Sequence, residues 1–208
     1  MKRRLLDYGD HPLHVAIQNH LLPFFEIPLG ERDDAVGFLL PGGRLLHTVK
    51  YQLLEEPGPA EQGQFMLVLR GLVDSYYRCP FTLKLWGRHI YYRHDAVFTP
   101  ESFYRGEART DYIRALEPST LLALPYNAVR AWAERHPEVH AKLHALAASR
   151  TQYLLEYNLR NTLPAKACVR AFLEQHPTLS YRTTAEICAM HNHMSRYWYV
   201  KTVKDLEK

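Results

Sequence analysis

Histidine is the residue type in this 208-residue chain most able to hold a metal, and there are twelve of them. His136, His140 and His144 recur at every fourth position, so one helix face would carry all three. His191 and His193 flank Asn192. Zinc sites combine such histidines with cysteines or carboxylates at set offsets. Neither set has that company, so the expectation is a solvated histidine face and no metal. The three cysteines, Cys79, Cys168 and Cys188, are too few and too scattered for a paired-cysteine site, a disulfide framework or a four-cysteine iron–sulfur cluster. His47, His89 and His94 are the candidate ligands of a cupin-type enzyme, but no carboxylate stands at a matching offset. A glycine-rich phosphate loop and a nucleophile elbow are both missing. The chain is therefore expected not to be an enzyme.

The charges point to a different chemistry. The first 149 residues hold 17 basic and 17 acidic side chains, while the last 59 hold nine basic and five acidic. The whole net charge of +4 thus lies in the C-terminal region. A basic appendage behind a neutral body is the footprint of nucleic-acid binding, and a solvated basic face is the competing reading. A hydrophobic share of 47% is too high for a disordered chain. No apolar run approaches the roughly 20 residues that span a bilayer. Residues 1–10 are basic without an apolar stretch behind them, so no secretory signal is expected. With the cysteine usage, this predicts a reduced, cytoplasmic protein without a membrane partner.

These residues need elements to position them. Residues 13–25 have helical apolar spacing, ended by Pro23 or Pro28. From 38 to 125 the pattern becomes short β-branched and aromatic runs between turn signals. The turns are at 41–43 and 56–59, and Gly71 divides 65–70 from 72–77. This predicts an antiparallel sandwich or barrel. A short helix follows at 126–135. From Pro137, suited to a first helical turn, the chain reads as helical to about 161. Val139, Leu143, Leu146, Arg150, Tyr153 and Tyr157 are spaced four, three, four, three, four. That heptad seam, with one arginine in it, predicts a dimer helix. A helix at 164–175 and two short helices within 183–206 complete the chain.

A β-rich region, a heptad helix and a small basic helical region in this order resemble the Crp/Fnr superfamily of bacterial transcription regulators. Residues 53–58 (Leu-Leu-Glu-Glu-Pro-Gly) look like the family's turn between its first roll strands. Residues 65–77 look like its hairpin, with Gly71 at the tight turn. Residues 98–103 and then Arg109-Thr110 lie where the family keeps a phosphate-binding cassette. Residues 113–124 look like the closing strand pair, and His136-Pro137-Glu138 like the start of the dimer helix.

The resemblance implies an α+β chain in three parts. An N-terminal antiparallel β jelly roll of the cyclic-nucleotide-binding type spans 1–136. A dimerisation helix spans 137–160, and a helix-turn-helix region lacking a complete wing spans 161–208. It implies a homodimer that binds DNA, with RNA polymerase as a further partner. Its ligand residues would be Glu101, Ser102, Arg109 and Thr110, closing on a cyclic nucleotide or another small effector. Pro100 stands where the family has Gly and removes a backbone N–H from the cradle, so the effector is expected not to be a standard cyclic nucleotide. Thr183 or Thr184 would cap the first helix of the motif and Ser195 the second. His193 falls where Gly is usual, and Asn192 beside it is the candidate for the left-handed turn. Ser195, Arg196, Tyr197, Lys201 and Lys204 would then face DNA, with Tyr199, Val203 and Leu206 buried behind them. The competing reading is a ligand-sensor or protein-interaction module with a degenerate C-terminus.

Overall fold

A computed structural model describes residues 11–207. The reading of residues 1–10 lies outside this range. The described residues open with α1 (Pro12–Ala16), a π-helical turn (Ile17–Leu21) and α2 (Leu22–Phe24). The single helix expected here is thus interrupted, and Pro23 sits inside its last piece. The helix α3 (Arg32–Leu39) was not legible in the sequence.

Eight strands follow: β1 (Arg44–Thr48), β2 (Leu53–Glu55), β3 (Gln64–Arg70), β4 (Val73–Arg78), β5 (Leu85–Tyr91), β6 (Ala96–Val97), β7 (Tyr112–Ala115) and β8 (Ser119–Pro125). They make two antiparallel four-stranded sheets, ordered β1-β8-β3-β6 and β2-β7-β4-β5. Between β6 and β7 lies α4 (Pro100–Arg105). The helices α5 (Tyr126–Ala133), α6 (Pro137–Asn161), α7 (Ala165–Gln175), α8 (Leu179–Arg182), α9 (Ala185–His191) and α10 (Arg196–Leu206) complete the chain.

The unbroken apolar run in β3 has a simple cause: the strand is buried on both faces. Met66 and Val68 point between the sheets, where they meet Val73, Tyr91, Val97, Ile113, Leu121 and Ala123. Phe65 and Leu67 point outward into a second core with Leu122 and Leu124, covered by α1 to α3, α5 and the start of α6. The other sheet is covered on its outer side by the C-terminal helices. Leu72, Ile90 and Leu116 pack there against Val169, Phe172, Leu179, Ile187 and Tyr199. Each such side chain contributes about 1.5–3 kcal/mol by leaving water. The order of layers is therefore helix, sheet, sheet, helix.

Gly71 makes the β3–β4 turn at φ +106°, and a Cβ there would lie 2.1 Å from Ser119 Oγ. The glycine expected at the tight turn is the only residue that fits.

Candidate functional site

The last two helices are built from their caps. The Thr184 hydroxyl accepts from the Ile187 N–H, and the Ser195 hydroxyl accepts from the Trp198 N–H. Of the two threonines considered, Thr184 is the cap. Between the helices His193 takes φ +52°, while Asn192 stays at −107°. The expectation for Asn192 is thus corrected. Its side chain is committed elsewhere: it is buried, and Nδ2 donates to the Cys188 carbonyl at 2.8 Å.

On α10 the aromatic run divides by helical phase. Tyr199 enters the core at 4% exposure, and Tyr197 and Trp198 point outward. Arg196, Tyr197, Lys201 and Lys204 line one surface groove with Val200 and Asp205. The Lys201 ammonium sits 4.9 Å over the Trp198 ring. Ser195 and the four groove residues expected to face DNA are all exposed and share the outer side of the helix pair. Cations on one face can meet phosphates, and an aromatic among them can meet a base or sugar.

The helix pair is locked onto the roll. Arg182 grips Glu117 with two hydrogen bonds, at 3.0 and 2.6 Å, and also donates to the Gly71 carbonyl at 3.2 Å. Asp74 is fully buried; it accepts from Arg114 at 3.1 and 2.7 Å and lies 3.3 Å from His191 Nε2. Tyr92 hydrogen-bonds His176 at 3.0 Å. Tyr157 of α6 donates to the Gly87 carbonyl and hydrogen-bonds His193. Burial is the main cause that holds His176 down to about 3 and His193 down to about 4. Arg160 and His191 add to both shifts.

The roll interior differs from the expected ligand site. Arg109 is buried, with its guanidinium paired to Glu55 and its Nε donating to the Pro59 carbonyl at 3.3 Å. Thr110 is exposed and donates to Asp111 at 3.1 Å. Glu101 lies in the first turn of α4, and Ser102 beside it is fully buried. Arg109 therefore has both its Nε and its Nη1 committed inside the roll, so the Nε edge of its guanidinium is not open to a phosphate. The cation the sequence did not place here is Arg150. It reaches in from α6 to Tyr91 at 2.7 Å, the Phe98 carbonyl at 3.0 Å and Asp111 at 3.3 Å. Arg88 approaches the other oxygen of Asp111 at 3.1 Å.

That placement corrects the dimer seam. Val139, Leu143, Arg150 and Tyr157 are buried against the chain's own body, and Leu146 and Tyr153 are half-buried there. Tyr153 packs on His89 with ring centroids 3.8 Å apart. An arginine in an otherwise apolar seam was the available sign of a buried polar partner. The outer side of α6 carries a second stripe with the same spacing: Ala141, Ala145, Ala148, Gln152, Leu155 and Leu159, all exposed.

Two antiparallel sheets, a 25-residue helix and a capped helix pair make up the architecture that was compared with known proteins. No family model matches the sequence. No curated protein matches it either. Solved structures do. FixK2 from Bradyrhizobium japonicum superposes with a TM-score of 0.69 at 14% identity, over 79% of this chain and 84% of that one. The c-di-GMP-responsive regulator CLP from Xanthomonas campestris gives 0.66 at 12% identity, over 84% and 91%. A CRP/FNR-family transcriptional regulator from Thermus thermophilus gives 0.62 at 17% identity, over 79% and 86%. The chain thus has the fold of the Crp/Fnr regulators in a divergent sequence. Among the described residues, no helix is long and apolar enough to cross a membrane.

Proposed function

We propose that the protein is a cytoplasmic, dimeric, DNA-binding transcription regulator without enzymatic activity. The observation that carries this is the capped pair α9–α10 with Arg196, Tyr197, Lys201 and Lys204 on its open face. In this reading residues 1–136 form the roll domain, 137–160 the dimer helix and 161–208 the reading domain. The helix α10 enters a major groove, and two copies meet half-sites about 34 Å apart. RNA polymerase is the natural further partner of such a regulator. The commitment of Arg109 to Glu55 argues against a cyclic nucleotide as effector.

A pool of random duplexes, bound at two salt concentrations and enriched, tests the reading. A two-fold symmetric site supports it; retention without enrichment overturns it. Arg196→Ala is expected to lose about 1–3 kcal/mol of affinity on the enriched site, and Lys201→Ala to lower the salt slope by about 1. Filter binding across a salt series measures both.

The dimer is assigned to the outer stripe of α6. Leu155 and Leu159, at 60% and 67% exposure, pair with their copies, and the alanines allow close helix approach. Leu155→Glu with Leu159→Glu is expected to give a monomer by light scattering, with little change in secondary structure. An unchanged mass would sink the assignment.

A further inference from the structure

Arg150 reaches into the roll with its donors only partly used. Of the five N–H groups of Arg150, three have partners: the Tyr91 hydroxyl, the Phe98 carbonyl and Asp111. Its Nε is buried with no hydrogen-bond partner, and the same holds for Nδ1 of His89. Both residues border a cavity of about 100 Å³ between β5, the β6 segment and α6, walled by Tyr91, Phe98 and Leu146. Nucleotide-sized ligands need roughly 300 Å³ or more, so the cavity suits a molecule of a few heavy atoms. The unused N–H groups are on Nε and Nη2, whose edge of a guanidinium matches the two oxygens of a planar oxyanion.

We propose that this cavity binds a small planar oxyanion, of the size of nitrate or formate, on the Nε–Nη2 edge of Arg150, with His89 as a second contact. Two of the carboxylates nearby already have partners, while Glu101 also acts on Arg150. Asp111 is shared between Arg150 and Arg88. Asp95, also on the lining, accepts the Tyr92 N–H at 2.7 Å. Arg150 projects from the inner side of α6, opposite the exposed stripe, so a ligand that draws on it acts on the helix assigned to the dimer. This link to DNA rests on the function proposed above; the binding site itself does not.

Thermal melting of the full chain in sodium nitrate and sodium formate, against sodium chloride at equal ionic strength, tests the site. Both oxyanions are expected to raise the midpoint by several degrees, saturating in the millimolar range, with no such rise in chloride. Leu146→Phe fills the cavity while leaving Arg150 in place and should abolish the rise. Arg150→Lys keeps the charge, loses the planar edge and should do the same; if it fails to fold, Leu146→Phe decides alone. Equal shifts in all three salts, or an undiminished rise in Leu146→Phe, overturn the proposal. Since melting is read without DNA, a chain that binds the oxyanions but not DNA keeps this site and loses only the proposed function.

Discussion

Gly87→Ala is expected to loosen the C-terminal helices from the roll. Gly87 lies on β5 facing α9, and a Cβ there would stand 2.1 Å from Nδ1 of His191 and 2.3 Å from its Cγ. The imidazole cannot swing aside. It is fully buried, its Nε2 lies 3.3 Å from Asp74, and the His191 carbonyl accepts from Arg160 at 3.3 Å. Contact at ordinary van der Waals distance therefore requires α9 to retreat by more than an ångström. The bonds from Arg182 to Glu117 and from Tyr157 to His193 would stretch with it. Overpacking of this kind typically costs about 1–3 kcal/mol. In a chain this long each 1 kcal/mol lowers the midpoint by about 2–4 °C. Melting should show the loss, and limited proteolysis should show faster cutting between α6 and α7. Gly30→Ala, where an added methyl meets nothing within 4 Å, is the control. A Gly87→Ala protein as stable and as protease-resistant as the parent would contradict the tight docking of α9.

Acid is expected to act on the same interface with a larger total effect. Burial keeps His89, His176 and His193 neutral in the folded chain, the last two at about 3 and about 4 and His89 also well below its ordinary value. In the unfolded chain each returns to about 6.5. The folded values are the lower ones, so stability is level above about pH 6.5. As the pH falls below that, the unfolded state takes up protons first and stability is lost. At pH 5 His176 costs about 2 kcal/mol, since roughly 1.5 pH units lie between the pH and the unfolded value, and His193, partly open to water, costs somewhat less. Glu55 and Asp95, pushed up by burial, oppose this at lower pH. A loss of roughly 3–4 kcal/mol at pH 5 from these two histidines is a large part of a typical total of about 5–15 kcal/mol. Urea midpoints at pH 7.5 and 5.0 measure it. Replacing His176 by Asn, which stays neutral, should flatten part of the slope, and a profile flat from 7.5 to 5.0 in the parent would refute the account.

Much of the fold was legible because it rests on local rules. Turn residues at 41–43 and 56–59 bracket β1 and β2, and the flexibility of Gly71 marks the β3–β4 hairpin. Threonine and serine before apolar periodic runs mark the starts of α9 and α10, and Pro137 opens α6. Short-range geometry alone sets these features, so sequence spacing suffices to find them. The helix α4 has no sequence signature, because its six residues are too few to show a period.

The partners of each face were a different matter. The helix α6 carries two stripes at the same heptad spacing, one through Val139 and Tyr157 and one through Ala141 and Leu159. Periodicity establishes that a helix has faces; which face is buried depends on what the rest of the chain brings against it. Arg150 turns inward because Tyr91, the Phe98 carbonyl and Asp111 converge there from distant positions in the chain. The family resemblance makes Arg109 a ligand residue, while the partner that holds it in the fold, Glu55, lies 54 positions away. The sequence by itself determined the order of elements, the capped helix pair and the cationic face on α10, since each depends on residues within a turn or two of one another. Only the tertiary structure decided which cations remain free, because a buried charge is held by whichever opposite charge the folded chain places beside it.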